Sequence, residues 1–162
     1  MLIRDAEAAD WPRIWPIIRE IVRAGDTFSW DRDVAEERAR SFWMHDPPGR
    51  TFVAVDADGT IVGTAESHAN HGGGGAHVAS AGFMVPASAS GRGVGRALVE
   101  HVLEQARADG FRSMQFNAVV AANTRAVGLW KSVGFEVVGT IPDGFRHPDL
   151  GYVDLLVMYR RL

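Results

Sequence analysis

Apolar positions along the chain change their period several times, and each change marks an element. After a short strand-like opening, Ile14, Ile17, Ile18, Ile21 and Val22 recur at helical spacing in a helix that begins near Ala9 or Asp10. Pro12 fits its first turn, whereas Pro16 is expected to kink it. A second helix is predicted over Val34 to Met44, after the segment DTFSWD (Asp26 to Asp31). The period then drops to two. Thr51 to Val55 and Thr60 to Ser67 read as a hairpin turning at Asp58-Gly59, and Ala76 to Val85 as a strand closed by Pro86. From there helix and strand alternate. Val94 to Asp109 is a helix with Val94, Leu98 and Val102 on one face and Gly110 at its end. Arg112 to Val120 is a strand, and Asn123 caps a helix that runs to Val133 and stops at Gly134. Phe135 to Ile141 and Tyr152 to Tyr159 are the last strands, and the polar, turn-rich loop between them, Pro142 to Gly151, is expected to be irregular. An antiparallel meander followed by such alternation predicts an α+β fold with a mixed sheet packed on both faces.

Composition narrows the class. At 162 residues the chain is expected to form one domain over residues 1–162. A net charge of −3 with no basic run argues against a nucleic-acid partner. The absence of cysteine removes disulfides, thiolate metal sites and a covalent cysteine intermediate. No stretch is long and apolar enough to span a membrane, and MLIRDAEAADW lacks the cationic start and apolar run of a signal peptide. A cytoplasmic location is therefore expected.

Candidate chemistry concentrates at SGRGVGRAL, Ser90 to Leu98, between a predicted strand and a predicted helix. Gly91, Gly93 and Gly95 let main-chain N–H groups approach a ligand, and the helix start adds partial positive charge. With Arg92 and Arg96 as further cations, this suits a phosphate or pyrophosphate. The competing reading is a tight glycine turn with no ligand.

Two stretches, VPASASGRGVGRALVEHVLEQA and NTRAVGLWKSVGF (Asn123 to Phe135), together resemble the GCN5-related N-acetyltransferase (GNAT) family. Within it, GFMV, FNAVVAANTRAVGLWKSVGF and YVDLLVMY resemble the fungal proline-analogue (azetidine-2-carboxylate) acetyltransferases, mainly over residues 77 to 159. The resemblance implies a GNAT-type mixed, splayed central sheet of about seven strands with helices on both faces. The strands Ala76–Val85 and Arg112–Val120 would part in a V that receives the pantetheine of acetyl-CoA. Main-chain groups of Phe83, Met84 and Val85 would bond the pantetheine, and amides of Gly91, Arg92, Gly93, Val94, Gly95 and Arg96 the pyrophosphate. Ser90 stands where the family loop usually opens with Gln or Arg, which removes one cationic contact. Asn123 and Trp130 complete the cofactor side. Trp130 occupies the place of a tyrosine that many members use as general acid. An indole N–H can donate a hydrogen bond but cannot deliver a proton, so Trp130 packs beside the cofactor or in the core.

The expected reaction is acetyl-CoA-dependent N-acetylation of a small-molecule amine, such as an amino acid or analogue, by direct attack in a ternary complex. The Val85 N–H would hold the thioester oxygen, as the resemblance implies. Alternation in Met114 to Val119 puts Asn117 on the less apolar face, where it would orient substrate or thioester, or serve as a structural amide. The proline-analogue enzymes match Asn117 and Asn123 but carry asparagine where this chain has Ser80, so the acceptor is expected to differ. Glu66 is a candidate base acting through water, or else an exposed strand carboxylate. His68 and His77 are alternative proton acceptors; a metal held by His68, His71 and His77 is disfavoured because a glycine loop joins them, and no metal is expected. Phe28 and Trp30 are expected to line the acceptor pocket near Asp26 and Asp31, and Asp154 to answer a partner charge or a dimer contact. The family implies a homodimer. Two other functions fit the residues: a non-catalytic acyl-CoA-binding sensor, and an acetyltransferase of protein amino termini or lysines.

Overall fold

A computed structural model describes all 162 residues. The elements run β1 (Leu2–Asp5), α1 (Trp11–Ala24), α2 (Glu36–Trp43), β2 (Arg50–Val55), β3 (Ile61–Ala69), β4 (Val78–Met84), α3 (Val94–Ala108), β5 (Ser113–Val120), α4 (Thr124–Ser132), β6 (Glu136–His147) and β7 (Gly151–Arg161). They form one seven-stranded sheet in the order β1-β2-β3-β4-β5-β7-β6, antiparallel throughout except for β4 and β5.

Alternation in β2 shows how the two faces are filled. Val53 points into a core with Ile14, Ile18 and Val22 of α1 and Trp43 of α2. Its neighbours Phe52 and Ala54 point the other way, into the larger core around Leu98, Val99 and Val102 of α3, with Met114, Phe116 and Met158. Helices thus cover both faces, as expected. A Cβ on Gly63 would come within 2.8 Å of Val94 and 3.0 Å of Leu98, so this glycine lets the start of α3 settle directly on β3.

Several expectations change. Pro16 does not interrupt α1, which runs unbroken for 14 residues with Pro16 on its exposed side. The segment Pro142–His147 is not irregular. It continues β6, with Phe145, Arg146 and His147 paired to Val153, Tyr152 and Gly151, and only residues 148–150 turn. A register shift between Ile141 and Phe145 absorbs the polar residues, and Asp143 there takes a positive φ of 52°. Asp154 serves this bulge within the chain: its Oδ1 accepts the Asp143 N–H at 3.1 Å.

Asp10 ties β1 to the start of α1. Its buried carboxylate accepts Arg4 Nη1 at 2.7 Å, Arg4 Nη2 at 3.0 Å, Arg13 Nη2 at 2.5 Å and the Glu7 N–H at 2.8 Å. The Arg4 hydrogen bonds outweigh the opposing effect of burial and lower its pKa from 3.8 to about 2. A carboxylate depressed by folding stabilises above its unfolded pKa and loses that contribution as pH falls through the folded one. Asp10→Asn should cost about 2 kcal/mol at pH 7. Denaturant unfolding should show this deficit shrinking between pH 4 and pH 2.

Candidate active site

β4 and β5 pair only at Val78–Ser113 and Ala79–Met114 and then part. In the β3–β4 ladder the Asn70 N–H donates to the Val78 carbonyl at 2.8 Å. By the alternation of an antiparallel pair, Ser80, Gly82 and Met84 also bond toward β3, while Ala81 and Phe83, with Val85 next in phase, turn their main chain toward the gap. This corrects one expected contact. Met84 pairs its main chain with Thr64 and packs its side chain, 1% exposed, against α1, so it does not reach the opening.

From Ala87 a short turn leads into the glycine loop. Gly91 and Gly93 take φ of 80° and 81°, left-handed values that an L side chain rarely adopts, and the space around a Cβ on either is open. The amides of Gly91, Arg92 and Gly93 have no main-chain acceptor. They precede the first turn of α3, whose amides are also unpaired by construction. The two arginines are less available than the motif implies. Arg92 reaches Asp56 at 3.5 Å, and Arg96 donates to Ser132 at 2.8 Å and lies 3.4 Å from Glu100. The Ser90 hydroxyl instead receives Arg125 of α4, a cation beside the loop that the motif did not disclose.

One cleft of about 880 Å³ runs from the gap to the α1–α2 side of the sheet. Its gap end carries Phe83, Val85, Phe116, Asn117, Asn123 and Trp130. Trp130 belongs to an aromatic cluster, with ring centroids 5.1 Å from Phe83 and 4.9 Å from Phe116, and lines the cleft as well. Asn123 caps α4 as expected, its Oδ1 accepting the Ala126 N–H at 3.2 Å. Asn117 sits where the β5–β7 register slips and forms a reciprocal amide pair with Asn70 at 2.6 and 3.2 Å; Gln115 also donates to it at 2.8 Å.

The other end is aromatic and acidic. Phe28 and Trp30 contact Trp43 edge-on at 6.2 and 6.1 Å; Asp26 also lines the cleft, as does Glu20, which accepts the Ala87 N–H at 2.9 Å. The Thr27 hydroxyl there is buried without a hydrogen-bond partner. Ser80, also in the cleft, neighbours His68 across the β3–β4 pair.

Glu66 is not an exposed carboxylate. It is 7% exposed, and its Oε2 bonds His45 Nε2 at 2.8 Å and His68 Nδ1 at 2.7 Å. Burial pushes its pKa up, but the two imidazole hydrogen bonds prevail and hold it below the usual carboxylate value. The same bond raises His68 above 6.5, against the opposing effect of burial. His45 was not singled out from the sequence. Trp43 anchors it: the indole donates to Thr64 Oγ1 at 2.9 Å, Thr51 Oγ1 donates to the Trp43 carbonyl at 2.7 Å, and the His45 N–H donates back to Thr51 Oγ1 at 3.2 Å. His71 and His77 lie outside the cleft lining, exposed, so the three loop histidines are not brought together. The ligand-type atoms of His45, Glu66 and His68 lie within 4.8 Å of one another, close enough for a metal. Both imidazoles already bond one carboxylate oxygen, however, which is the geometry of a proton-sharing array.

The profile of the Acetyltransferase (GNAT) family matches residues 11–135, and the chain belongs to that family. The splayed seven-stranded sheet is the one the sequence resemblance implied. A GCN5-related N-acetyltransferase from Kribbella flavida is similar at 57% identity and TM-score 0.96, over 99% of this chain and 97% of that one. A phosphinothricin acetyltransferase from Sinorhizobium meliloti, solved with acetyl-CoA, is 27% identical with TM-score 0.88, over 99% and 88%. The N-acetyltransferase aca1 of Schizosaccharomyces pombe is 32% identical over 111 residues, 68% of this chain, so the match spans about half (53%) of that relative. An L-methionine sulfoximine/L-methionine sulfone acetyltransferase from Pseudomonas aeruginosa is 29% identical over 148 residues, 86% of this chain and 83% of its own.

Gly82 makes room for the buried carboxylate, because a Cβ there would stand 2.8 Å from Glu66 Oε1 and 3.1 Å from Trp43. Gly82→Ala should therefore destabilise by about 1–3 kcal/mol in denaturant unfolding. Gly74→Ala, with open space around its Cβ, should be nearly neutral in the same measurement.

Proposed function

We propose that this protein transfers the acetyl group of acetyl-CoA to the amine of a small molecule, by direct attack in a ternary complex. The observation that carries the reading is the continuity of the cleft. An opening edged by unpaired main chain, with a glycine loop at a helix start, leads without a break into an aromatic, acidic compartment. In this reading Phe83 and Val85 bond the pantetheine, and amides from Gly91 to Arg96, with Ser90 and Arg125 beside them, hold the diphosphate. The Val85 N–H is the donor for the thioester oxygen, and Trp130 and Asn123 flank the thioester arm.

The acceptor lies against Phe28, Trp30 and Ser80, with Asn117 orienting the amine or the thioester. Relatives named for amino-acid analogues support a similar acceptor here. No lysine or arginine lines the cleft, so a carboxylate on such an acceptor would meet the amides of Asn117 and Asn123. An aromatic compartment favours a small amine over a protein terminus or lysine, which needs an open groove. The sensor reading draws on Trp130, which replaces the usual tyrosine. A thiol leaving with a pKa near ~8.5 tolerates that replacement. The assembly in this reading is a cytoplasmic homodimer, favoured by the exposed apolar Val137, Val138 and Ile141 on edge strand β6.

Thiol release over a panel of amino acids and other small amines tests the reading; tight binding of acetyl-CoA without transfer to any of them would establish the sensor instead. Gly93→Asp places a carboxylate at a left-handed position against the phosphates and should weaken acetyl-CoA binding by roughly tenfold or more, ~1.4 kcal/mol in calorimetry. Asn117→Ala should lower turnover by on the order of tenfold with an unchanged melting temperature. Unaltered kcat and KM would remove Asn117 from the site.

A further inference from the structure

We infer that His68 takes the proton from the acceptor ammonium, held in register by the buried Glu66 carboxylate and by His45 on its far side. The inference rests on the transferase reading above and supplies its proton acceptor.

Geometry selects His68 from the three. Glu66 is almost closed off from the cleft and spends one oxygen on two imidazoles. His68 is the more open imidazole, with its side chain 40% exposed against 22% for His45. Its Nδ1 is committed to Glu66, so a neutral His68 that donates this Nδ1–H carries its lone pair on Nε2, which has no partner in the structure. Register places the array over the right strand. Glu66 lies opposite Gly82 and His68 opposite Ser80, on β4, whose other edge borders the gap. Ser80 precedes Val85 by five residues, about 16 Å of strand, so the proton travels from the amine to His68 Nε2 through water in the cleft. The two imidazole rings sit 4.8 Å apart at 40°, so His45 backs the carboxylate and limits its swing away from His68.

The groups facing His68 are few. On its own strand there is Glu66, from the α2–β2 loop His45, and from β4 the uncharged Ser80. Glu20 and Asp26 also line the cleft, with Glu20 accepting the Ala87 N–H at 2.9 Å. All the permanent charges in this set are negative, which favours an entering ammonium and a cationic His68 alike. The bonding balances. An N–H bond of the ammonium breaks and its proton joins His68 Nε2. The freed lone pair forms the N–C bond at the thioester carbon, and the C–S bond breaks with its electrons on sulfur. The second proton of the new amide nitrogen neutralises the thiolate, and His68 returns its proton to water. Net products are the N-acetyl amide, the free thiol of coenzyme A and one proton.

Because the active form has His68 neutral and Glu66 holds its pKa above 6.5, kcat/KM should rise with pH along a limb centred above 6.5. The test is the pH profile of thiol release for the wild type, Glu66→Gln, His45→Gln and His68→Gln, with acceptors of different amine pKa. Glu66→Gln removes the anion that raises His68, so the limb should move to lower pH. His45→Gln should keep the limb and lose rate several-fold. His68→Gln, whose amide can still donate to Glu66, should abolish the limb and lower kcat by on the order of 10²–10⁴-fold, with acetyl-CoA affinity unchanged. Should the buried Glu66 variant fail to fold, the half-exposed His68 variant still decides. A His68→Gln enzyme within twofold of wild type overturns the assignment, as does a limb that tracks the acceptor's pKa and ignores Glu66→Gln. Activity lost to EDTA and restored by Zn²⁺ would overturn it too, by making the array a metal site. Wild-type protein that binds acetyl-CoA and acetylates no amine sinks the transferase reading, and this inference with it. Turnover that survives His68→Gln sinks only the inference.

Discussion

Parallel strands that stay side by side spend their main-chain groups on each other, and here β4 and β5 stop doing so after Ala79 and Met114. Beyond that point Ala81 and Phe83 face the gap with N–H and C=O groups that must find other partners. The sheet survives the split because each strand is held on its far side, β4 by β3 and β5 by β7. Three features of the cleft are arranged around that split. The glycine loop follows the end of β4, Asn117 sits at the slip in β5, and the aromatic cluster of Phe83, Phe116, Trp130 and Phe135 fills the space beneath.

Much of this was readable because local physics signals it locally. The glycine loop, the Asn123 cap and the core face of α3 are each specified by residues within a turn or two of one another, and each lies where the pattern placed it. The first half of β6 was read as a strand, but its continuation was not, because a bulge between Ile141 and Phe145 lets Pro142 and Gly144 into a strand they would otherwise argue against. Asp154 looked out of place because the amide it serves lies across the ladder, at Asp143.

The site divides along the same line. Residues carried by a motif were named from the sequence, but their partners were not. Arg92 and Arg96 belong to the glycine motif, yet Asp56 and Ser132, from a distant hairpin and helix, decide where their charges go. Met84 lies between two proposed pantetheine contacts, and only the ladder's phase shows its main chain turned the other way. His45 is 21 residues from Glu66 and belongs to no motif. Its place depends on a buried indole reaching Thr64 and a threonine hydroxyl on β2 that donates to the Trp43 carbonyl and accepts the His45 N–H.

That anchoring bears on why the array sits where it does. A buried carboxylate is costly unless its hydrogen bonds are met, and leaving one unmet costs more than the bond itself returns. Glu66 meets the cost with two imidazoles and with the absence of a side chain at Gly82, so three separate segments must be in place before it can be buried. The arrangement therefore couples the packing of α2 against the sheet to the electrostatic state of His68. If α2 loosens, His45 leaves, the carboxylate gains freedom to rotate, and the imidazole it polarises loses its fixed partner. The aromatic compartment is walled by the same helix through Trp43, so shaping the compartment and setting the charge of His68 are one structural event.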